Sequence, residues 1–225
     1  MSFQLISRCC TLTAILAVVG CANNPPAESP DGLELVPSKS FTEVYAKRDV
    51  TLTGYDQIGI VPCEVSFRNN WLRDQNSNRV QLNNRVTQDD VDRIEDALGA
   101  ECDKYFRGAM AEPPPYTVVE EFGPDESVLV LLPSIVDLDV SAPDTMSPGI
   151  NRTYTTEAGR MTLVLEGYDG NSSEVLFRAI DRRRSTDYGT TLQWTNGVTN
   201  KAEADRILKS WSKKLREALD TALRP

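Results

Sequence analysis

Two closely spaced carboxylates are the residues of this 225-residue chain whose types and spacing best suit acid–base chemistry or cation binding. Asp137 and Asp139 are predicted to share one face of a strand, with Glu166 across the sheet. Paired carboxylates can transfer protons or hold a hard cation. The sequence around them offers no glycine loop or third fixed ligand, and Arg178 and Arg182 are placed to pair with them across an exposed face. We therefore interpret the pair as part of a solvated face.

The cysteines form the second candidate group. Cys63 alternates with apolar residues on the inward face of a predicted strand, and Cys102 continues the apolar stripe of a predicted helix, so both point into the same layer. In an oxidising compartment this placement predicts a disulfide. Closing a loop of about 39 residues would stabilise the fold by about 4 kcal/mol, because the unfolded chain loses entropy. The alternative is a pair of buried thiols, since cysteine is among the residues most often buried.

A basic and aromatic segment follows the last predicted strand. Its candidate partner-binding residues are Arg182, Arg183, Arg184, Tyr188 and Trp194. Such a segment could grip an anionic partner, for example a phospholipid head group or another envelope protein. In the competing interpretation, which we favour, the arginine stems cover apolar surface while Trp194 packs under the final helix.

Trp71 raises the same question in an Asn-rich loop, residues 69–86. A large apolar residue in a polar loop either anchors the loop to the core or marks a contact site. The sequence leaves both alternatives open, so Trp71 joins the candidate partner-binding residues.

Residue composition excludes several classes of function. The chain has no histidine, which excludes Ser-His-Asp and Cys-His triads, HExxH zinc sites and facial-triad iron sites. The glycines form no dinucleotide-binding or Walker motif, and no CxxC motif occurs. A formal net charge of −9 argues against nucleic-acid binding, which needs a positive field. We therefore predict no catalytic residue, no metal ligand and no cofactor, and expect that the protein is not an enzyme.

The amino-terminal residues are typical of a bacterial lipoprotein signal. Arg8 precedes an apolar stretch, residues 9–19, which is too short to span the roughly 30 Å hydrocarbon core but suits a signal peptide. The stretch leads into the sequence VVGC, residues 18–21, which resembles the lipobox. The resemblance implies cleavage before Cys21 and a thioether to diacylglycerol, and two or more acyl chains anchor a protein stably. The alternative is an ordinary secretory signal cleaved near Gly20.

The residues after the cysteine predict the location and the linker. In Gram-negative lipoproteins an aspartate in this position tends to retain the protein in the inner membrane, so Ala22 implies the periplasmic face of the outer membrane. The segment from Ala22 to about Ser40 carries four prolines and no periodicity, which predicts a semi-extended linker. We expect a signal peptide over residues 1–20, a flexible Pro-rich tether over 21–40 and a single periplasmic domain over 41–225.

Apolar patterns with periods of two and 3.6 residues predict five strands and two helices in this domain. The strands are residues 55–68, 116–122, 127–140, 161–169 and 173–181, and the last two form a hairpin. The first helix starts after a capping box of Thr87 and Asp90 and ends before Pro113, and the second starts at about Asn200 with an Asn-x-x-Glu cap. The order β-α-β-β-β-β-α predicts a two-layer α+β sandwich, with a mixed, mostly antiparallel sheet and both helices on one face.

Several segments of the domain are similar to a known family. They are DGLELVPS, YDQIGIVPCEVSF, YTVVEEFGPDESVLVLLPSIVDLDV, AGRMTLVLEGYDG, SEVLFRAIDRRR and WTNGVTNKAEADRILKSWSKKLREALD. In combination they resemble bacterial lipoproteins grouped as domain of unknown function 3313, from about residue 31 to the end. The resemblance implies an envelope lipoprotein without an assigned activity, and it brings no catalytic residues to this chain.

These observations lead to a functional hypothesis. The lipid anchor, the tether and the lack of a catalytic set predict a non-catalytic accessory domain that is held at the outer membrane and binds another envelope protein. The alternative is a carrier of a lipid or other hydrophobic ligand, because an apolar sheet under two amphipathic helices could part to admit an acyl chain. A hydrolase that uses the Asp137 and Asp139 pair is the third and least favoured hypothesis.

Overall fold

A sheet covered by two long helices dominates the described part of the chain. The computed structural model describes residues 25–77, 85–124, 126–141, 153–155, 159–184, 193–195 and 197–224, with backbone alone for 153–155, 193–195 and 197–199. The strands are β1 Glu34–Val36, β2 Glu43–Ala46, β3 Gln57–Ile60, β4 Glu64–Phe67, β5 Thr117–Val119, β6 Val128–Val140, β7 Thr153–Thr155, β8 Gly159–Asp169, β9 Val175–Arg184 and β10 Gln193–Thr195. The helices are α1 Trp71–Asn76, α2 Gln88–Ala111 and α3 Gly197–Leu223.

Eight of these strands form one open mixed sheet, in the order β1-β2-β9-β8-β6-β3-β5, and β4 pairs with β6 further along. β3 runs parallel to β5 and β6, β4 runs parallel to β6, and the other pairs are antiparallel. The predicted α+β class is confirmed, but the sheet has eight strands rather than about five. The additional strands β1 and β2 are three and four residues long, too short to show an alternating pattern. A third helix, α1, lies in the segment that was predicted as a loop.

The predicted strand over residues 55–68 is two strands, β3 and β4, because Pro62 lies at its centre. Proline has no amide hydrogen to donate to a sheet ladder. The amide of Cys63, which follows, donates instead to the Asp103 carboxylate of α2 at 2.8 Å. The break in the strand therefore places Cys63 directly against α2.

Helices α2 and α3 pack on the same face of the sheet, which we call the inner face. Fully buried sheet residues on this face are Leu129, Leu131 and Ile135 of β6 and Leu163 and Leu165 of β8. The helix residues in the same core are Cys102, Phe106 and Met110 of α2 and Leu208, Trp211 and Leu215 of α3. The opposite face of the sheet is called the outer face. The predicted placement of both long helices on one face is thus confirmed.

A bulge in β6 changes the faces predicted for its last residues. Strict alternation from Ile135 would place Asp137 and Asp139 on the inner face, beneath the helices. Asp137 instead has a positive φ of 53°, and the register with β8 shifts between Val136 and Asp139. Leu138 thereby turns inward and is 5% exposed. Because an unpaired buried carboxylate is costly, the bulge keeps these charges out of the core.

The starts of the two long helices agree only in part with the predicted caps. The Thr87 hydroxyl accepts from the Asp90 amide and the Asp90 carboxylate accepts from the Thr87 amide, so the predicted capping box of α2 is confirmed. Helix α3 begins at Gly197, earlier than predicted, and Asn200 lies inside its first turn. The predicted Asn-x-x-Glu cap is therefore wrong, because Asn200 already has helical neighbours on both sides.

Arg216 of α3 holds the carboxyl end of α2. Its side chain is buried, and its Nη1 donates to the carbonyl oxygens of Ala109 at 2.9 Å and Glu112 at 3.0 Å. Its Nη2 donates to the Pro114 carbonyl at 2.6 Å, and its Nε pairs with Asp220 at 3.0 Å. The last carbonyls of a helix have no partner within that helix, so Arg216 supplies the donors that α2 lacks.

Residues 25–36 fold back on the outer face as a short turn of chain that we call the N-terminal hairpin. The Leu35 amide donates to the Ala27 carbonyl at 2.9 Å. Arg178 of β9 donates to both carboxylate oxygens of Asp31, at 2.9 and 2.7 Å, and these bonds lower the pKa of Asp31 to about 2. The folded region therefore starts before residue 41, where the tether was predicted to end, because this segment finds partners on the sheet.

The surroundings of two glycines in α2 lead us to expect opposite effects on stability when each is replaced by alanine. A Cβ at Gly99 would lie 2.9 Å from the Cys63 carbonyl oxygen, so Gly99→Ala should push α2 away from β4 and cost about 1–3 kcal/mol. Gly108 is exposed, and no atom beyond its own helix turn and chain neighbours lies within 4 Å of its Cβ position, so Gly108→Ala should stabilise the fold by about 0.5–1 kcal/mol. Urea unfolding of both variants measures this difference. Equal effects at the two positions would contradict the packing of α2 on β4.

Candidate binding cleft

A cleft opens between α2 and α3 where β6 ends and β8 begins, with a volume of about 400 Å³. Its apolar lining consists of Ile94, Ala97 and Leu98 of α2, Leu138 and Val140 of β6, Met161 of β8, and Ala204 and Ile207 of α3. The two alanines carry short side chains and therefore leave space that larger residues would occupy. The cleft thus exposes part of the layer between the helices and the sheet.

Charged residues of both signs surround the mouth of the cleft. Lys201 pairs with Glu101 at 3.0 Å, and Arg160 pairs with Asp139 at 2.8 Å. Lys104 and Lys201 donate hydrogen bonds to Glu101, and these bonds lower the pKa of its carboxyl group. The carboxylates at the mouth are therefore matched with cations, and the apolar lining lies behind a polar rim.

The chemistry of the cleft is set by its apolar lining. Its described lining contains no cysteine, serine, threonine or tyrosine side chain that could serve as a nucleophile beside a base. Across the described ranges, no three Cys, Asp or Glu side chains come together as a set of metal ligands. The lining can cover an apolar group of a ligand and remove it from water. Burial of this kind is favourable by a free energy of roughly 25 cal/mol per Å² of apolar surface.

The structure separates the three carboxylates that were considered together. Asp137 is exposed at the bulge, and Asp139 accepts hydrogen bonds from two arginines. These are Arg68, at 2.9 Å, and Arg160, at 2.8 Å. Glu166 lies further along β8 on the outer face and accepts from Arg178 at 2.6 Å. The expected pairing of Arg178 with the two aspartates is therefore wrong, because the bulge and the strand register place them apart.

The predicted disulfide is confirmed. Cys63 and Cys102 are bonded, and their Cα atoms are 6.1 Å apart, within the range that a disulfide spans. Both residues are buried in the core between β4 and α2. The bond therefore joins the edge of the sheet to the middle of the helix layer.

Trp71 is an anchor of α1, which decides between the two alternatives left open by the sequence. Its side chain is 1% exposed and stacks on Phe67, with the ring centroids 4.0 Å apart. Its indole nitrogen donates to the Val140 carbonyl at 3.3 Å. Because the ring is buried, Trp71 cannot form a contact site for a partner in this conformation.

Arg182 and Arg183, near the end of β9, have partners within the sheet. Arg182 pairs with Glu43 at 2.5 Å, rather than with the aspartates as expected, and Arg183 pairs with Asp181 at 2.9 Å. Arg184 is exposed at the last position of the strand. A role of these residues in partner binding stays a prediction.

Three other candidate residues lie outside the described part of the chain. They are Cys21, Tyr188 and the side chain of Trp194, whose backbone pairs with Tyr154 in the two-stranded β7–β10 sheet. Within the described ranges, no helix combines the length and the apolarity that crossing a membrane requires. The predicted lipidation of Cys21 stays a prediction.

Sequence reasoning missed a buried carboxylate, Asp181, that holds α3 on the sheet. It is 2% exposed and accepts from the Trp211 indole at 2.9 Å and the Lys214 ammonium at 3.2 Å. Burial alone would raise its pKa, but hydrogen bonds from Thr42, Trp211 and Lys214 hold the pKa below its usual value. One signal in the sequence could have identified it. Asp181 is two positions from Ala179 in β9, so both side chains lie on the inner face.

Comparison with known proteins found distant structural neighbours. No protein-family model matches the chain, and no curated protein matches it. A PelC dodecamer from Paraburkholderia phytofirmans aligns with 76% of this chain and 96% of its own, at a TM-score of 0.34 and 10% identity. A protein from Xanthomonas campestris described as domain of unknown function 330 aligns with 78% and 93%, at a TM-score of 0.37 and 10% identity.

A hypothetical protein from Chlamydia trachomatis aligns with 74% of this chain and 97% of its own, at a TM-score of 0.37 and 7% identity. Similarities at this level assign neither a family nor an activity. The resemblance to domain of unknown function 3313 therefore stays a prediction, and the molecular function is open to proposal from the site itself.

Proposed function

We propose that the chain is a lipid-anchored envelope lipoprotein whose domain binds an apolar part of another envelope protein in the cleft between α2 and α3, without catalysing a reaction. The lipobox-like sequence that ends at Cys21 supports the anchor, and Ala22 supports the outer membrane as its location. The resemblance to envelope lipoproteins of unknown function points in the same direction. The cleft supports the binding role.

The observation that carries the binding role is the apolar lining left open between the helices. Ile94 and Leu98 of α2 belong to the stripe that packs on the core, yet both are partly exposed beside the cleft. A partner that covers this surface gains roughly 0.8 kcal/mol for each CH₂ group that it buries. Contiguous apolar surface of this kind marks an interaction site in soluble domains.

The rim restricts the chemistry of the partner. Lys201 is shared between Glu101 and Asp205, at 3.0 and 2.9 Å, so a partner meets charges that are already paired. A highly charged ligand would have to break these pairs, whereas an aliphatic group bordered by neutral polar groups would not. An apolar side-chain cluster of a protein partner therefore fits the cleft better than a free anion does.

A lipid carrier is the second candidate function, and the size of the cleft favours it. A volume of about 400 Å³ lies within the roughly 300–1,000 Å³ of sites that hold small molecules. Lipid extraction and mass spectrometry of the protein purified from the periplasm without its anchor test this candidate. A stoichiometric acyl lipid would support it, and an empty cleft would eliminate it.

A cleft-filling substitution tests the binding role. Ala204→Phe should place a ring in the cleft and reduce capture of the partner from cross-linked cells by at least tenfold, because the apolar lining is no longer accessible. Ala202→Phe, at an exposed position of the same helix, is the matched control and should leave capture unchanged. Loss of capture in both variants, or in neither, would contradict binding in this cleft.

Replacing the lipidated cysteine tests the anchor. Wild-type protein should incorporate labelled palmitate and fractionate with the outer membrane, and Cys21→Ser should release the protein or leave its signal uncleaved. Recovery of wild-type protein in the soluble periplasm would refute lipidation. Recovery mainly in the inner membrane would refute only the inference from Ala22.

A further inference from the structure

The outer face of the sheet carries a group of apolar side chains, which we call the apolar patch. Val130, Leu132 and Val136 of β6 alternate with the buried inner residues, and each is half-buried. Val164 of β8 and Ile180 of β9 are paired neighbours that extend the same face. Among the described residues, these five side chains stand outside both core clusters. Ser134, Thr162 and Glu166 lie between these side chains, so the apolar patch is interrupted by polar groups. A surface of this mixed kind suits the interface between lipid head groups and acyl chains.

The charges beside this patch are neutralised within the outer face. Arg178 pairs with Asp31 and with Glu166, at 2.7 and 2.6 Å. Arg182 pairs with Glu43 at 2.5 Å. An apolar surface can therefore approach this face without desolvating these charges as isolated ions.

The N-terminal hairpin is fixed to the same face. Tyr45 stands opposite Arg178 in the β2–β9 pairing, so both side chains point to the outer side of the sheet. The Tyr45 hydroxyl donates to the Pro26 carbonyl at 3.2 Å, and Arg178 binds Asp31. The described chain therefore begins on the outer face, next to the apolar patch.

The distance from the hairpin to the lipidated cysteine restricts how the domain can sit on a membrane. Pro25 follows Cys21 by four positions, and an extended chain spans at most about 3.6 Å per residue, so the two lie within about 14 Å of each other. A helix has a radius of about 5–6 Å and its axis lies about 10 Å from the sheet, so the far side of α2 and α3 is about 15–16 Å from the sheet backbone. It is farther still from the N-terminal hairpin, because Pro26 lies at the tip of the outward-pointing Tyr45 side chain. With Cys21 acylated in the bilayer, the outer face can reach the membrane surface, but the helix layer cannot.

We propose that the outer face of the sheet lies on the lipid surface of the membrane and that the cleft between α2 and α3 opens away from it. The inference rests on the lipid anchor of the proposed function and adds an orientation to it. The apolar patch meets the interface between head groups and acyl chains, and the short link from Cys21 holds it there. The cleft then remains accessible to a partner on the other side of the domain.

Single-cysteine reporters in the full lipidated protein test this orientation. Ser66→Cys places a thiol on the exposed outer side of β4, and Ser210→Cys places one on the exposed side of α3. Because Cys63 and Cys102 are bonded and Cys21 carries lipid, each new thiol takes a single fluorophore. The protein is reconstituted into vesicles of phosphatidylethanolamine and phosphatidylglycerol that contain nitroxide-labelled lipid. We expect quenching at Ser66→Cys to exceed that at Ser210→Cys severalfold.

The outcomes separate the orientation from the anchor. Equal quenching at both positions, or stronger quenching at Ser210→Cys, in protein that carries palmitate would overturn the orientation and leave the anchor intact. Protein that carries no palmitate would overturn the proposed function itself. Disulfide cross-linking between copies at Ser66→Cys without lipid quenching would show that a second copy covers the face, and would also overturn the proposal. Unchanged melting temperatures of the two variants confirm that each is folded.

Discussion

Reduction of the Cys63–Cys102 disulfide should lower the melting temperature of the domain by roughly 8–16 °C while leaving its fold unchanged. The bond closes a loop with a sequence separation of 39 residues. The closed loop lowers the conformational entropy of the unfolded chain, and this stabilises the folded domain by about 4 kcal/mol. The effect should act on the unfolded state, because a folded region of this size can bury enough surface to keep its core without a cross-link. Far-ultraviolet circular dichroism should therefore show the same native spectrum with and without reductant.

Thiol counting and thermal unfolding test this expectation together. Unfolded, non-reduced protein that lacks residues 1–21, and with them Cys9, Cys10 and Cys21, should show no free thiol. Reductant should expose two thiols per chain and lower the melting temperature. The double variant Cys63→Ala with Cys102→Ala is the control, because reductant should not change its melting temperature. Two free thiols in non-reduced protein that was folded in an oxidising compartment would show that these cysteines only fill the core.

Replacement of Arg216 by methionine should destabilise the domain by about 2–4 kcal/mol, because carbonyl groups lose a charged donor. Methionine keeps much of the apolar stem but removes the donors that serve the carbonyls of Ala109, Glu112 and Pro114. The guanidinium also lies over the Tyr116 ring, 4.6 Å from its centroid. Loss of these contacts leaves the buried Ala109 carbonyl and the partly buried Glu112 carbonyl without this donor, whereas Pro114 still accepts from Arg224 at 3.0 Å.

Arg206→Met is the matched control for this substitution. Arg206 is exposed on the same helix and pairs with Glu203 at 2.9 Å, and exposed ion pairs are worth at most about 1 kcal/mol. Denaturant unfolding of both variants gives the comparison directly. If Arg216→Met cost no more than Arg206→Met, the account of how α3 holds α2 would be wrong.

Features set by neighbouring residues are predictable from this sequence. The capping box of Thr87 and Asp90 depends on four consecutive residues, and the β8–β9 hairpin depends on alternation either side of a short turn. The disulfide is predictable for a related reason. The apolar pattern around Cys63 repeats every two residues and that around Cys102 every 3.6 residues. Both patterns place the cysteine side chain in the layer between the sheet and the helices.

Features set by distant partners are not predictable in the same way. The alternating pattern of β6 gives no sign of the bulge at Asp137, because the bulge is defined by the register with β8. The N-terminal hairpin has a linker-like composition, and its order comes from Tyr45 and Arg178, which lie far along the chain from Pro26 and Asp31. The composition of the segment therefore predicts a linker, whereas its contacts with Tyr45 and Arg178 fix it on the sheet.

The cleft depends on the fit between two helices that are distant in sequence. Ala204 belongs to the apolar stripe of α3, and the stripe predicts that it faces the core. Whether another side chain fills the space in front of it depends on the separation of α2 and α3 at that level. No single-sequence pattern contains that separation, so the apolar stripes predict the helix layer but not the gap within it.

Photo-cross-linking from the cleft tests the central claim most directly. A photoreactive amino acid at Ala97, which lines the cleft, is compared in living cells with the same residue at Ala100, which is exposed on α2 away from it. We predict one reproducible adduct with an envelope protein from position 97, its loss when Ala204→Phe is added, and no such adduct from position 100. The same adducts from both positions, or none from position 97, would contradict the assignment of the cleft as the binding site.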